Sequence, residues 1–153
     1  MKPRMVRVGT VAALALVLVS VNVSIVAKER IKSQGERIYL ELAPVDPRSL
    51  MQGDYMALRF EIANHISTEA SGSAALQLDA RDVATLHADQ GAPGLHIRYR
   101  IRNGQVWLGT NAYFFEEGTA RRFNGARYGE FRVDRDSGEA VLVGLADKNL
   151  AAL

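Results

Sequence analysis

Cysteine is absent from the 153 residues, so disulfide frameworks, thiolate metal sites and cysteine nucleophiles are excluded in any compartment. Lysine occurs only at Lys2, Lys28, Lys32 and Lys148, which leaves a Ser-Lys dyad with few possible bases. The nearest candidate nucleophile for such a dyad is Ser49, and its base would have to be Lys148 or a lysine of the 28–36 segment; no local serine motif supports that pairing. Neither G-x-S-x-G nor H-E-x-x-H occurs, so His65, His87 and His96 offer no recognisable triad and no metal-ligand spacing. Glycine-rich phosphate cradles of the G-x-G-x-x-G and G-x-x-x-x-G-K-[ST] types are missing too. No catalytic, cofactor-binding or metal-binding residue is therefore assigned. Internal repeats and low-complexity segments are likewise absent, and 48% hydrophobic with 24% charged residues suits one folded domain rather than a disordered chain.

Acidic residues are missing from the first 27 positions, where Lys2, Arg4 and Arg7 are three of the 19 basic groups. All 17 acids lie beyond them, so residues 28–153 carry 16 basic against 17 acidic groups and a net charge of −1. The whole-chain charge of +2 and pI of about 9.1 thus describe a basic end joined to a nearly neutral domain, which disfavours nucleic acid as a partner. From Val8 to Ala27 no residue is charged, and only Thr10, Ser20, Asn22 and Ser24 interrupt the apolar run. As a helix this stretch spans about 30 Å, the thickness of a bilayer's hydrocarbon core. A cleaved signal peptide is the main competitor, with Ala27 at position −1. The run exceeds the roughly 7–15 residues of a signal h-region, and Ile25 is bulky at −3, so an uncleaved anchor is favoured. A buried core helix fits poorly, because the run is apolar on every face and the rest of the chain offers no helical shell. The expected organisation is a basic cytoplasmic tail (1–7), a signal-anchor helix in the lipid bilayer (8–27), a charged stalk (28–36) and an extracytoplasmic domain (37–153). Lys28, Arg30 and Lys32 nearly balance the basic residues before the span, so charge alone gives no orientation. With so short a segment ahead of the span, the default is N-terminus inside and domain outside, in the periplasm for a double-membraned bacterium. The stalk is expected to prolong the helix until Gly35 stops it.

Beyond Gly35 the pattern is one of short strands and turns. Arg37–Leu42 alternates Ile38, Leu40 and Leu42 with polar neighbours, and Pro44 and Pro47 follow. Asp54–Ala63 places Met56, Leu58, Phe60 and Ile62 on one face, predicting a strand with that face in the core. Ser73–Leu78 and Val83–Ala88 flank an Asp79–Asp82 turn and predict a hairpin. Leu95–Arg102 leads through Asn103-Gly104, the dipeptide of a type I′ turn, into Gln105–Thr110. Ala112–Phe115 is a further apolar run, and Glu117–Asn124 predicts one or two helical turns. Tyr128–Asp134 and Ala140–Leu145 are joined by the polar turn 135–139. Turns at this spacing predict a mainly β fold, either an antiparallel sandwich or a partly open barrel, with little helix beyond the anchor.

At Gly53-Asp54-Tyr55-Met56-Ala57-Leu58-Arg59-Phe60 the sequence resembles the bacterial GDYxxLxY family, with Phe60 in place of the final tyrosine. The resemblance extends to Pro44–Leu50, Phe114–Gly118, Ala126–Asp134 and Leu142–Leu145, and so covers most of residues 36–146. It implies a small membrane-anchored protein of unassigned activity, often associated with polytopic membrane proteins, and supplies no catalytic residue. Read without the family, Asp46-Pro47 favours a turn and Gly53 a bulge or positive φ. The block is then a stiff strand corner; the functional alternative makes Asp46, Arg48, Asp54, Tyr55 and Arg59 a polar surface for a partner.

Arg98, Arg100 and Arg102 fall on one strand face. They are expected to be solvated, with cross-strand glutamate partners; the alternative is recognition of anionic lipid headgroups or an acidic protein surface. The expected function is a non-enzymatic accessory module that docks on a polytopic membrane or envelope protein. The competing expectation is an envelope hydrolase, which requires a concave site gathering at least two of Asp46, Ser49, Asp54, Glu116, Glu117 and His96.

Overall fold

The computed structural model describes residues 3–44, 51–52 and 55–153. Its first element is a single helix, α1 (Pro3–Gln34), which carries the apolar run and the charged stalk without a break. Leu16, Val17, Ile25 and their apolar neighbours are exposed around the whole circumference, and the helix is long and apolar enough to cross a membrane. The polar interruptions turn inward: the Ser20 hydroxyl donates to the Val17 carbonyl, the Asn22 amide to Leu18 and the Ser24 hydroxyl to Ser20. Each of the three thereby satisfies a side-chain donor within the helix. The helix ends where its length was expected to end, with the Gly35 N–H donating to the Ile31 carbonyl at 2.8 Å. Ile31, alone on this helix, is buried, and the helix packs there on β9 and β10 of the domain (Tyr128–Val133 and Ala140–Ala146).

The domain is mainly β and antiparallel. β1 (Glu36–Glu41) and β10 flank β9, whose strict alternation buries Gly129, Phe131 and Val133. Gly129 is the point where the Phe60 ring crosses β9: a Cβ there would come within 2.9 Å of it. β4 (Gly72–Leu78) pairs with β5 (Ala84–Leu86) and with β6 (His96–Arg102), and β6 pairs with β7 (Gln105–Trp107). Asn103 and Gly104 both take positive φ, 51° and 70°, so the type I′ turn forms as the dipeptide predicts. A third sheet joins β2 (Met51–Gln52), β3 (Tyr55–Ala57) and β8 (Ala112–Phe114).

Three contacts curl these pieces into a partly open barrel. The Tyr39 N–H donates to the Asp82 carbonyl beside a parallel bridge to Val83, linking β1 to β5. Leu42 bridges Phe60, bringing the third sheet to the end of β1. The Arg98 N–H donates to Gly138 at 2.7 Å, returning β6 to the turn between β9 and β10. Ile38, Leu40, Phe60, Ile97, Leu108, Phe131, Val133 and Leu145 fill the interior, each contributing roughly 1.5–3 kcal/mol by burial.

The predicted strand over 54–63 is shorter than its alternation suggests. After β3 the Leu58 N–H donates to Asn111, and Phe60 leaves to bridge Leu42. Residues Glu61–His65 then close into a 3₁₀ turn. Met56, Leu58, Phe60 and Ile62 are nevertheless all buried. The helical turns expected over 117–124 are a second 3₁₀ segment, Ala120–Gly125.

Candidate functional site

Two exposed features stand at opposite ends of the domain. The register of β1 with β9 orients them: Glu36 pairs with Val133 beside the α1 junction, and Glu41 pairs with Tyr128 at the other end. The intervening six residues measure about 20 Å at ~3.3 Å each.

At the end remote from α1, β3 and β8 place Tyr55 opposite Phe114, with ring centroids 5.7 Å apart. Phe114 is 74% exposed; among the described residues it is the only large apolar side chain outside α1 left so open. Behind it Phe115 stacks on Phe123 at 5.3 Å, and Tyr113 meets the same ring edge-on. Tyr113, Phe114, Phe115 and Phe123, with Glu116, Thr119 and Arg122, line a shallow hollow of about 470 Å³. Of the polar surface expected around the motif, Tyr55 is half-buried in β3, and Arg59 is exposed just beyond it. Arg59 lines a different hollow with Asn111 and the Gly104-Gln105 turn. Asp46, Arg48, Ser49, Gly53 and Asp54 lie outside the described residues.

At the α1 end, Arg98, Arg100 and Arg102 project from β6 between the inward-facing Ile97, Tyr99 and Ile101. Their cross-strand neighbours are Ser73, Trp107 and Gln105, not glutamates. Among the described residues none of the three arginines pairs with a carboxylate, which corrects the expectation of cross-strand acids. Arg102 instead lies over the Trp107 ring at 5.2 Å. The three arginines line a hollow of about 100 Å³ together with Trp107, Gly109, Ala140 and the ion pair Lys28–Glu139. Lys28 is the first charge after the apolar run, so α1 itself forms one wall. Trp107 was legible in principle, because a two-residue turn at Asn103-Gly104 sets Arg100 against Trp107. Lys28 and Glu139, 111 positions apart, carry no such local signal.

Among the described residues the candidate carboxylates do not converge. No described hollow is lined by two of Glu116, Glu117 and His96; His96 directs Nδ1 to the Gly94 carbonyl. No group of three acidic or imidazole side chains is placed to hold a metal among the described residues.

The sequence profile of the GDYXXLXY protein family matches residues 17–145, from the middle of α1 to the end of β10. The chain belongs to the GDYXXLXY family. No curated protein and no solved structure matches it. Within the GDYXXLXY motif, Tyr55 joins the exposed aromatic edge, while Leu58 and Phe60 belong to the core, both 2% exposed. The motif therefore serves two purposes at once, tying the third sheet to β1 and presenting one ring outward.

Proposed function

We propose that the protein is a membrane-anchored accessory module that docks on another membrane or envelope protein and performs no catalysis. In this reading α1 stays uncleaved in the bacterial inner membrane with the N-terminus inside, and the β domain stands in the periplasm or outside the cell. The observation that carries docking is Phe114: a phenyl ring left 74% exposed, tilted against the motif's Tyr55 with centroids 5.7 Å apart. Phe114 is the open edge of an aromatic cluster with Tyr55, Tyr113, Phe115 and Phe123, and aromatic rings are enriched in the buried centres of protein interfaces. Its place remote from the α1 junction suits a partner that projects from the membrane, and Arg122 and Glu116 beside it supply a polar rim.

A photo-reactive amino acid at Tyr55 in the full-length chain, irradiated in native membranes, tests this. The expected result is one defined protein adduct, identified by mass spectrometry. Irradiation that repeatedly yields no specific adduct, or only lipid adducts, counts against a protein partner at this edge.

A further inference from the structure

The arginine hollow calls for an occupant of its own. Four cations (Lys28, Arg98, Arg100 and Arg102) surround it, and its sole carboxylate, Glu139, is already held by Lys28. Three arginines at every second position of one strand repel each other, and among the described residues no acid relieves them. Arg102 lies over the Trp107 ring at 5.2 Å, a contact that uses none of its N–H groups as hydrogen-bond donors to a carboxylate and leaves them for an anion. The hollow is small, about 100 Å³, a fit for a phosphate group rather than for a folded protein surface.

Its position selects the source of that phosphate. Lys28 ends the uncharged run that is one bilayer core in length, and the residues from Lys28 to Gln34 rise about 10 Å further as helix, through the headgroup layer. The hollow opens where that layer lies. Its wall also carries tryptophan, the side chain that favours the membrane interface. On the anchored reading given above, the geometry points to a binding site for the phosphate of an anionic phospholipid headgroup in the leaflet from which α1 emerges. Each guanidinium offers two parallel N–H groups to phosphate oxygens. The Lys28 ammonium lines the hollow while paired with Glu139, and its exchange from Glu139 to the phosphate would admit the ligand.

Trp107 is the single tryptophan of the chain, so its fluorescence reports on this hollow alone. The full-length protein is reconstituted into phosphatidylcholine vesicles with and without 30 mol% phosphatidylglycerol, each containing a headgroup spin-labelled quencher lipid. The site predicts a blue-shifted emission and stronger quenching in the anionic vesicles. It also predicts that the anionic-lipid dependence weakens roughly fivefold per arginine removed, in Arg100→Gln and further in the triple Arg98→Gln, Arg100→Gln, Arg102→Gln variant. Arg100→Lys keeps most of the response, which separates charge loss from misfolding. An anchored protein whose Trp107 signal is identical in both vesicles overturns the site. So does an equal response, in phosphatidylcholine alone, to inorganic phosphate or to poly-glutamate, which would assign the hollow to a free anion or an acidic protein. Extraction of the protein from vesicles by alkaline carbonate would overturn the anchoring instead, and is scored separately from the tryptophan signal.

Discussion

Phe60 occupies the position where the GDYXXLXY motif has tyrosine, and the hollow it lines also holds an unpaired acceptor. The ring is 2% exposed, edge-on to Phe131 with centroids 5.2 Å apart. Asn111 lines the same hollow, of about 250 Å³. Its amide donates to the Val106 carbonyl, while its buried side-chain oxygen accepts nothing from the described residues. A buried acceptor left unpaired costs about 1–3 kcal/mol. Restoring the motif by Phe60→Tyr therefore raises stability by about 1 kcal/mol, read as a thermal midpoint a few degrees higher for the full-length protein in detergent. A lower midpoint would mean that the added oxygen crowds Gly129 and Phe131 instead of reaching Asn111.

At the scale of elements, two hairpin turns are held by aspartates in the same manner. Asp79 Oδ1 accepts from the Val83 and Arg81 amides at 2.9 and 2.7 Å. Asp134 Oδ1 accepts from the Ser137 amide and hydroxyl, both at 2.8 Å. Those amide donors favour the ionised form, led by Val83 for Asp79 and by Ser137 for Asp134, and hold both carboxyls below their usual 3.8. A carboxyl whose pKa is lower folded than unfolded stabilises the fold at pH above its unfolded value, and that contribution vanishes as pH falls through the folded value. The urea midpoint should accordingly stay level from neutral pH to about 5 and drop below about 4. Asp79→Asn with Asp134→Asn should lower the midpoint at pH 7 and flatten the acid limb. An acid limb as steep as that of the unaltered protein would show that other carboxylates dominate.

These turns, with Asn103-Gly104, were legible from local residues because each is decided within four or five positions. The strands over 96–102 and 128–133 were equally plain from their period of two, and those over 72–78 and 140–146 from short apolar runs bounded by turns. The extent of the strand after Gly53 was not. Its alternation of Met56, Leu58, Phe60 and Ile62 does predict which side chains are buried, but the sequence does not say that Phe60 leaves β8 to bridge Leu42. That exchange is a tertiary contact across 18 residues, and alternation is blind to it. The same limit applied to the arginine face. Strand spacing grouped Arg98, Arg100 and Arg102 correctly, whereas the absence of glutamates opposite them depends on which strands become neighbours.

For the molecule as a whole, the two exposed features belong to separate ends and should behave independently. Residues more than about 10 Å apart without shared partners have additive effects. Phe114→Ser is predicted to abolish the Tyr55 photo-adduct, to leave the unfolding free energy within about 0.5 kcal/mol of the original because the ring is exposed, and to leave the Trp107 response to anionic lipid unchanged. A change in that lipid response would reveal coupling through the barrel between β8 and β7.

The junction of helix and domain sets how such a molecule can meet others. Ile31 is seated against β9 and β10, and the next residue after the helix, Gly35, passes straight into β1. No slack tether intervenes. A domain on a flexible leash samples a hemisphere above its anchor; on the proposed anchoring of α1, this one would sweep only a ring at fixed altitude as the helix spins and drifts in the bilayer. Phe114 and the arginine hollow would then each patrol a single plane parallel to the membrane. Encounter would become a search in two dimensions, with a partner selected first by the height at which it presents its matching surface.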